Sequence, residues 1–235
     1  MAFEESERTV PLSVNAQPRV FLQPLAAPSI LGLYGFAGAT FMIAAHMAHW
    51  FGSSYTDLFI VPFAAMFGGL AQFLAGMWAY KARDGLATAF HGMWGSLWIA
   101  YGVLTLMIFS GRVPTPAGSL FPELGYWFIV VAAITWACTF AAAAENKAMV
   151  TVFTFAAAGS TIAAIAYLIG SEGLVILTGY LFIIASLAGW YAATALMVNE
   201  AHGREVWSLG KSAHARQMAP VTVGTGEPGV IRGQA

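Results

Sequence analysis

Six apolar stretches, separated by short polar segments, make up most of this chain. A helix needs about 20 apolar residues to cross the hydrocarbon core of a bilayer, and each stretch reaches that length. The stretches are Pro28–Phe51, Leu58–Tyr80, Leu86–Ser110, Leu124–Ala144, Ala148–Ile169 and Leu174–Val198. The sequence therefore predicts an all-α integral membrane protein built as a bundle of six transmembrane helices.

The Lys and Arg residues predict how this bundle is oriented. If six helices cross the membrane alternately, all but one of the ten cations fall on the same side. These cations are Arg8, Arg19, Lys81, Arg83, Lys147, Arg204, Lys211, Arg216 and Arg232. Only Arg112 falls on the other side. Because cytoplasmic loops of membrane proteins are enriched in Lys and Arg, both termini are predicted to be cytoplasmic.

The composition allows one domain and two tails. Residues 28–210 form the predicted transmembrane domain, between a cytoplasmic N-terminal tail (1–27) and a flexible cytoplasmic C-terminal tail (211–235). The N-terminal tail has no apolar segment of the kind found in a cleaved signal peptide. A formal net charge of −1 provides no basic surface for nucleic acid. Since the loops are too short to hold a soluble active site, chemistry or transport is predicted to take place inside the bundle.

Ionisable side chains are absent from the interior of the predicted spans, apart from histidine, cysteine and tyrosine. All eleven acidic residues lie in tails, in loops or at span ends, as do the ten basic ones. A retinal protein needs a lysine inside a helix, so that class is excluded, and a cation pump with a buried carboxylate is disfavoured. The polar side chains that remain as candidates for lining a path include Thr40, His46, Gln72 and Ser96.

Three histidines in the spans, His46, His49 and His91, leave two alternatives open. Transmembrane histidines can hold a haem, which would make the protein a membrane oxidoreductase. A histidine can instead form hydrogen bonds within the bundle, or line a wet vestibule where it carries a proton. No acidic partner or third ligand lies near His46 and His49 in the sequence, so no metal site and no cofactor are predicted.

Four short motifs resemble those of a known family. They are Leu31-Gly32-Leu33-Tyr34-Gly35-Phe36, Phe67-Gly68-Gly69-Leu70-Ala71-Gln72 with Ala75-Gly76, Gly95-Ser96-Leu97-Trp98, and Asn199-Glu200 with Gly203-Arg204. In this order and spacing, from about residue 27 to 210, the chain resembles the acetate uptake transporters, or succinate–acetate permeases. It departs from their pattern at Ala27, Ile30 and Leu196, where the family has Asn, Pro and Glu.

The resemblance implies a homohexamer in which each protomer has its own path for acetate, with proton coupling proposed for uptake. It also implies an apolar constriction at Phe36, Trp94 and Ala156, where the family has Phe, Tyr and Leu. His46 and Gln72 occupy positions that are polar in the family. We therefore predict proton-coupled uptake of acetate or a similar short carboxylate, including succinate, across the cell membrane. A passive anion channel of the same fold is the alternative.

Overall fold

The structure is a computed structural model that describes residues 26–53, 55–113 and 120–213. Over these residues the chain forms six helices that are long and apolar enough to cross a membrane, which confirms the predicted bundle. The helices are α1 (Pro28–Met47), α2 (Thr56–Ala82), α3 (Gly85–Phe109), α4 (Pro122–Ala142), α5 (Lys147–Ile169) and α6 (Glu172–His202). Most of both predicted tails, residues 1–25 and 214–235, lies outside the described residues.

Short connections make successive helices antiparallel and give the bundle two faces. We call the N-terminal face the end at which α1, α3 and α5 begin, and the distal face the end at which α2, α4 and α6 begin. α2 is separated from α3 by only two residues, and α5 from α6 by two. Such connections leave no room for the chain to cross back, so neighbours in sequence pack side by side.

Local signals in the sequence explain where the helices begin and end. Pro28 occupies the first turn of α1, where its missing N–H costs nothing. Asp84 caps α3 by accepting a hydrogen bond from the backbone N–H of Ala87 (2.8 Å). α1 ends four residues before the predicted Phe51, because His49 adopts a left-handed backbone conformation (φ 58°) that a helix does not continue.

The middle of α2 is not an α-helix. Between Thr56–Ala64 and Gln72–Ala82, residues Ala65–Ala71 form a π-helix, in which the N–H of Gln72 bonds to the carbonyl of Phe67. That carbonyl lies directly against Gly35 of α1, where a Cβ atom would collide with it. Because a π turn contains an extra residue, it rotates the residues that follow relative to an uninterrupted α-helix. Gln72 is fully buried at the end of this turn.

Small residues hold the helix backbones close together. A Cβ at Gly76 would lie 2.7 Å from the backbone nitrogen of Gly92, and one at Gly95 would lie 2.7 Å from that of Phe73, so α2 and α3 share a seam of small residues. Gly179 of α6 is equally close to the backbone of α1. In lipid, this close packing replaces the hydrophobic force that would associate helices in water.

Large apolar side chains cover the outside of the bundle. Phe59, Phe63, Leu106 and Phe140 are each at least two-thirds exposed. In water such a surface would drive association. Here it suits contact with lipid chains or with neighbouring copies of the protein.

After α6 the chain turns back across the N-terminal face. Asn199 organises this turn: its side-chain oxygen accepts hydrogen bonds from the backbone N–H groups of Val206 (2.7 Å) and Trp207 (2.9 Å). The backbone of Lys211 then forms an isolated antiparallel β-bridge with that of Asn146, the residue before α5. The ordered contacts thus continue past residue 210, the predicted end of the transmembrane domain.

Candidate functional site

Five aromatic rings meet in the core of the bundle. Phe36 of α1 lies edge-on to both Phe90 and Trp94 of α3, with ring centroids 5.1 Å apart in each case. Phe90 also contacts Phe153 of α5 (4.5 Å), and Trp94 contacts Phe182 of α6 (5.9 Å). All five rings are almost completely buried. This aromatic cluster, Phe36, Phe90, Trp94, Phe153 and Phe182, therefore joins four helices across the centre of the protomer.

Trp94 is fixed within the aromatic cluster by a hydrogen bond to a fifth helix. Its indole Nε1–H donates to the hydroxyl oxygen of Thr135 in α4 (3.0 Å). The Thr135 hydroxyl in turn donates to the carbonyl of Val131, one turn earlier (2.7 Å). Both groups are therefore satisfied although both are buried. On the other side, Phe182 lies against Gly159, where no larger residue would fit beside the ring.

The structure brings two of the three predicted constriction residues into contact. Phe36 and Trp94 touch each other, and Ala156 is fully buried in the same hydrophobic core. The ring that α5 contributes to the aromatic cluster comes from Phe153, one turn before Ala156. The sequence analysis did not single out Phe90, Phe153 or Phe182, because nothing in a single sequence tells which of 17 phenylalanines meet across helices.

A buried polar pair lies beside the aromatic cluster. Gln72 of α2 and His91 of α3 are both fully buried, and Gln72 Nε2 lies 3.4 Å from His91 Nδ1. The imidazole packs directly on Gly32 of α1, where even a methyl group would overlap the ring. His91 also contacts the ring of Phe90 (5.2 Å between centroids). Of this pair the sequence analysis placed only Gln72 among the path candidates.

Three further buried polar atoms lie one turn away from members of the aromatic cluster. Thr40 follows Phe36 by four residues, Trp98 follows Trp94 by four, and Thr178 precedes Phe182 by four. Because α6 runs opposite to α1 and α3, all three positions are displaced towards the distal face. The hydroxyl oxygens of the two threonines and the indole nitrogen of Trp98 have no protein partner. Each could therefore donate a hydrogen bond to a molecule in the core.

The other two predicted path residues lie elsewhere. Ser96 donates its hydroxyl proton to the carbonyl of Gly92 (2.8 Å) in its own helix, and at two positions from Trp94 it faces another direction. His46 lies about 15 Å along α1 from Phe36, near the distal face. There it donates to the carbonyl of Phe51 (3.1 Å) and its other nitrogen lies 3.8 Å from the carboxylate of Asp57.

The structure does not bring the three histidines to one site. His49 lies 3.6 Å from the carboxylate of Glu172 at the distal face, whereas His91 contacts Gly32, about 20 Å along α1 from His46. Among the described residues, no group of three His, Cys, Asp or Glu side chains could hold a metal ion.

One carboxylate on the N-terminal face has a shifted pKa. Glu145 lies half-buried in the turn between α4 and α5. Burial raises the pKa of its carboxyl group to about 7, and the negative charge of Asp84 adds to the rise. Glu145 therefore changes its charge near neutral pH, unlike an ordinary surface carboxylate.

The same architecture is found in a solved structure of a bacterial transport protein. It is the structure of the bacterial acetate channel SatP, and the match covers 80% of the present chain and 100% of that chain. The two superimpose with a TM-score of 0.73 at 25% sequence identity.

Curated relatives and a family model agree with this likeness. The succinate-acetate/proton symporter SatP of Escherichia coli K12 is 27% identical over 189 residues, which are 80% of this chain and 97% of the relative. Ammonia transport outward protein 2 of Saccharomyces cerevisiae is 25% identical over a segment that covers 72% of this chain and 61% of the yeast protein. The model of the GPR1/FUN34/yaaH family matches residues 12–204. The resemblance seen in the four sequence motifs is thus confirmed, and the chain belongs to the GPR1/FUN34/yaaH family of membrane transport proteins.

Proposed function

We propose that this protein carries acetate, or a similar short-chain carboxylate, across the cell membrane through the interior of each protomer. The family is a transport family and not an enzyme family, which rules out the alternative of a haem-bearing oxidoreductase. Support for the substrate comes from the relatives, since the names of both the Escherichia coli symporter and the solved channel specify acetate.

The observation that carries the proposal is the aromatic cluster at the centre of an uncharged core. Among the described residues, the buried polar side chains are threonine, serine, glutamine and histidine, with no Asp, Glu, Lys or Arg. A bare anion entering such a core loses its hydration without gaining a counter-charge. The cluster therefore acts as a dry gate. Its members Phe36 and Trp94, together with the buried Ala156 in the same core, form the constriction that we propose. Of the four predicted polar positions, we assign Thr40 and Gln72 to the path, because both are buried close to the aromatic cluster, whereas His46 and Ser96 are not.

Proton coupling follows from the same electrostatic reasoning. An uncharged core penalises acetate ion far more than acetic acid, so transport is favoured when a proton accompanies each carboxylate. We propose symport of this kind, with succinate as a second substrate, by a homohexamer whose termini face the cytoplasm. A passive channel is the second candidate. It is supported by the uncharged core itself, which contains no buried carboxylate to hold a coupled proton among the described residues.

Reconstitution tests the proposal and separates its two forms. Purified protein in liposomes should take up labelled acetate faster than protein-free liposomes at the same pH. With the membrane potential clamped, an inwardly directed proton gradient should raise the initial rate of acetate uptake above that of protein-free liposomes under the same gradient if a proton accompanies acetate. A protein-dependent rate that does not respond to the proton gradient would identify a passive anion channel, and uptake no faster than in protein-free liposomes would refute carboxylate transport.

The oligomeric state can be measured on the same sample. A hexamer in mild detergent should have a protein mass of about six copies of the 24.9 kDa chain. A monomer that still transports acetate after reconstitution would show that the assembly is not needed for the path.

A further inference from the structure

Two of the buried polar atoms without a protein partner belong to one pair of side chains. Gln72 Oε1 and His91 Nε2 are both enclosed and unbonded, although the two side chains contact each other through Gln72 Nε2 and His91 Nδ1. That contact, at 3.4 Å, is at the long end of the range for a hydrogen bond. Buried polar groups almost always have partners, so two unbonded atoms on adjoining side chains make this pair a candidate for binding a small polar molecule.

The hydrogen-bonding capacity of the pair is the same whichever way its protons are assigned. If the Gln72 amide donates to His91 Nδ1, the ring carries its proton on Nε2, leaving that donor and the acceptor Oε1 free. If the amide is turned round, Nδ1 donates to the Gln72 oxygen. The free groups are then the amide N–H donor and the Nε2 acceptor. In both cases the neutral pair keeps one unmatched acceptor and at least one free donor, since the amide has two N–H groups, so the conclusion does not depend on the tautomer.

This pattern is complementary to an undissociated carboxylic acid. Such an acid presents one acceptor, its carbonyl oxygen, and one donor, its hydroxyl group. A carboxylate ion presents acceptors only, and would leave the acceptor of the pair unmatched. The ion would also need a positive charge, and no Lys or Arg is buried in the part of the chain that the structure describes.

The pair lies directly on the N-terminal side of the aromatic cluster, where a substrate taken up through the distal face arrives after passing the cluster. His91 precedes Trp94 by three residues, which is about 4.5 Å along α3 towards the N-terminal face. Gly32, against which the imidazole packs, precedes Phe36 by four residues on α1. The neighbouring ring of Phe90 provides an apolar surface that suits the methyl group of acetic acid.

We propose that Gln72 and His91 form a binding site for the undissociated carboxylic acid, on the N-terminal side of the aromatic cluster. This site deepens the proposed function and rests on it, because it specifies the form in which the substrate is bound. The acid then brings its own proton into the core, and no side chain has to be protonated or deprotonated during transport.

Acetamide is a suitable probe for this site. It has the size of acetic acid and the same pattern of one carbonyl acceptor and a neighbouring donor, but it does not ionise near neutral pH. The protein in liposomes should therefore show inhibition of labelled acetate uptake by acetamide, with an inhibition constant that does not change between mildly acidic and mildly alkaline pH. Binding of acetamide to the protein in detergent, followed by saturation-transfer NMR on its methyl group, gives a readout independent of transport.

Variants of the pair test the assignment. His91→Phe and Gln72→Leu each remove the hydrogen-bonding capacity of one side chain, and each should weaken acetamide binding about tenfold. His91→Gln keeps a donor and an acceptor on the side chain, and should retain more of the binding than His91→Phe. His202→Phe, which changes an exposed histidine at the end of α6, is the matched control and should leave acetamide binding unchanged.

The outcomes separate this site from the proposed function. If acetate is transported but acetamide neither binds nor inhibits, or if all variants bind it as the wild type does, the site is refuted and the transport proposal stands. If protein-containing liposomes take up no more acetate than protein-free ones, the proposed function fails. The NMR experiment would still decide whether the pair binds a neutral carboxyl-like group. Should His91→Phe fail to fold, Gln72→Leu and His91→Gln provide the same test.

Discussion

The hydrogen bond that fixes Trp94 in the aromatic cluster can be removed almost without changing the shape of the core. Thr135→Val replaces the hydroxyl by a methyl group of similar size. The buried indole N–H of Trp94 then loses its acceptor, which lies 3.0 Å away in the structure. Leaving a buried donor unpaired costs about 1–3 kcal/mol in proteins generally, whereas hydrogen bonds between membrane helices contribute about 0.6 kcal/mol on average and up to about 1.7. Because Trp94 is only 2% exposed, we expect a loss near the upper membrane value, about 1.5 kcal/mol.

A matched control lies one turn away in the same helix. Thr139 donates its hydroxyl proton to the carbonyl of Thr135 (2.9 Å), as Thr135 does to that of Val131. Among the residues that the structure describes, no side chain on another helix donates to Thr139. Thr139→Val therefore loses the bond within the helix and keeps the contact between helices. The difference in unfolding free energy between the two variants measures the bond to Trp94, and mixed detergent micelles allow reversible unfolding to be followed. A double-mutant cycle with Trp94→Phe isolates the pairwise energy.

The same variants connect the hydrogen bond to transport. A Trp94 ring that is no longer fixed should close the path less tightly, so Thr135→Val should raise the ratio of labelled succinate uptake to labelled acetate uptake relative to Thr139→Val. The reasoning is refuted if the two valine variants are equally stable and equally selective, or if the cycle with Trp94→Phe gives no coupling energy.

Four other predictions follow from the geometry. Trp94→Ala should open the constriction and raise uptake of larger acids such as succinate at equal expression, and unchanged selectivity would place the gate elsewhere. Ala156→Leu should slow acetate uptake by overpacking the core, and adding Trp94→Tyr should recover part of the lost uptake. If the effects of the two changes on acetate uptake are additive, these positions do not share a gate. Gly35→Ala should destabilise the bundle by about 1–3 kcal/mol, because the added methyl group meets the rigid Phe67 carbonyl. Gly38→Ala is the control, since a methyl group there would meet only a ring carbon of Phe67 at 3.8 Å. Equal melting temperatures of the two variants would contradict this. Glu145 binds its proton more tightly in the folded protein than in the unfolded one, so its contribution to stability is full below the ordinary carboxyl pKa and is lost as the pH rises through about 7. Glu145→Gln should flatten the fall in unfolding free energy over that pH window. An unchanged slope would show that the carboxyl group is not responsible.

The number of helices and their approximate bounds were predictable because they depend on length and local composition. Each helix begins and ends within a few residues of its apolar stretch. The largest differences are the end of α1, where His49 turns the chain, and the end of α6, which continues past Val198 to His202. The family was also predictable, because its motifs are short and contiguous in sequence. Which face of the bundle lies in the cytoplasm rests on the distribution of cations and stays a prediction. A reporter fused after Gly210 should be cytoplasmic, and one inserted near Pro116, which lies outside the described residues, should be external. Two reporters on the same side would contradict the prediction.

The site was only partly predictable because it depends on contacts between distant parts of the chain. Phe36 and Trp94 were found through the motifs, but Phe153 and Phe182 belong to the same cluster only because α5 and α6 pack against α1 and α3. His46 has the sequence features of a path residue, yet the structure places it beside Asp57 at the distal face. Its placement depends on where α1 ends, which the apolar pattern alone did not show.

The sequence by itself determined that the chain crosses a membrane, how often it does so, and which family of transport proteins it belongs to. These properties follow from the energetic cost of exposing polar groups to lipid, which acts on each segment separately. Only the tertiary structure decided that Gln72 and His91 meet in the core. That meeting depends on the π turn in α2, which rotates Gln72 inwards, and on Gly32, whose missing side chain leaves room for the imidazole. Both conditions concern the fit between helices, and a pattern within one helix does not contain that information.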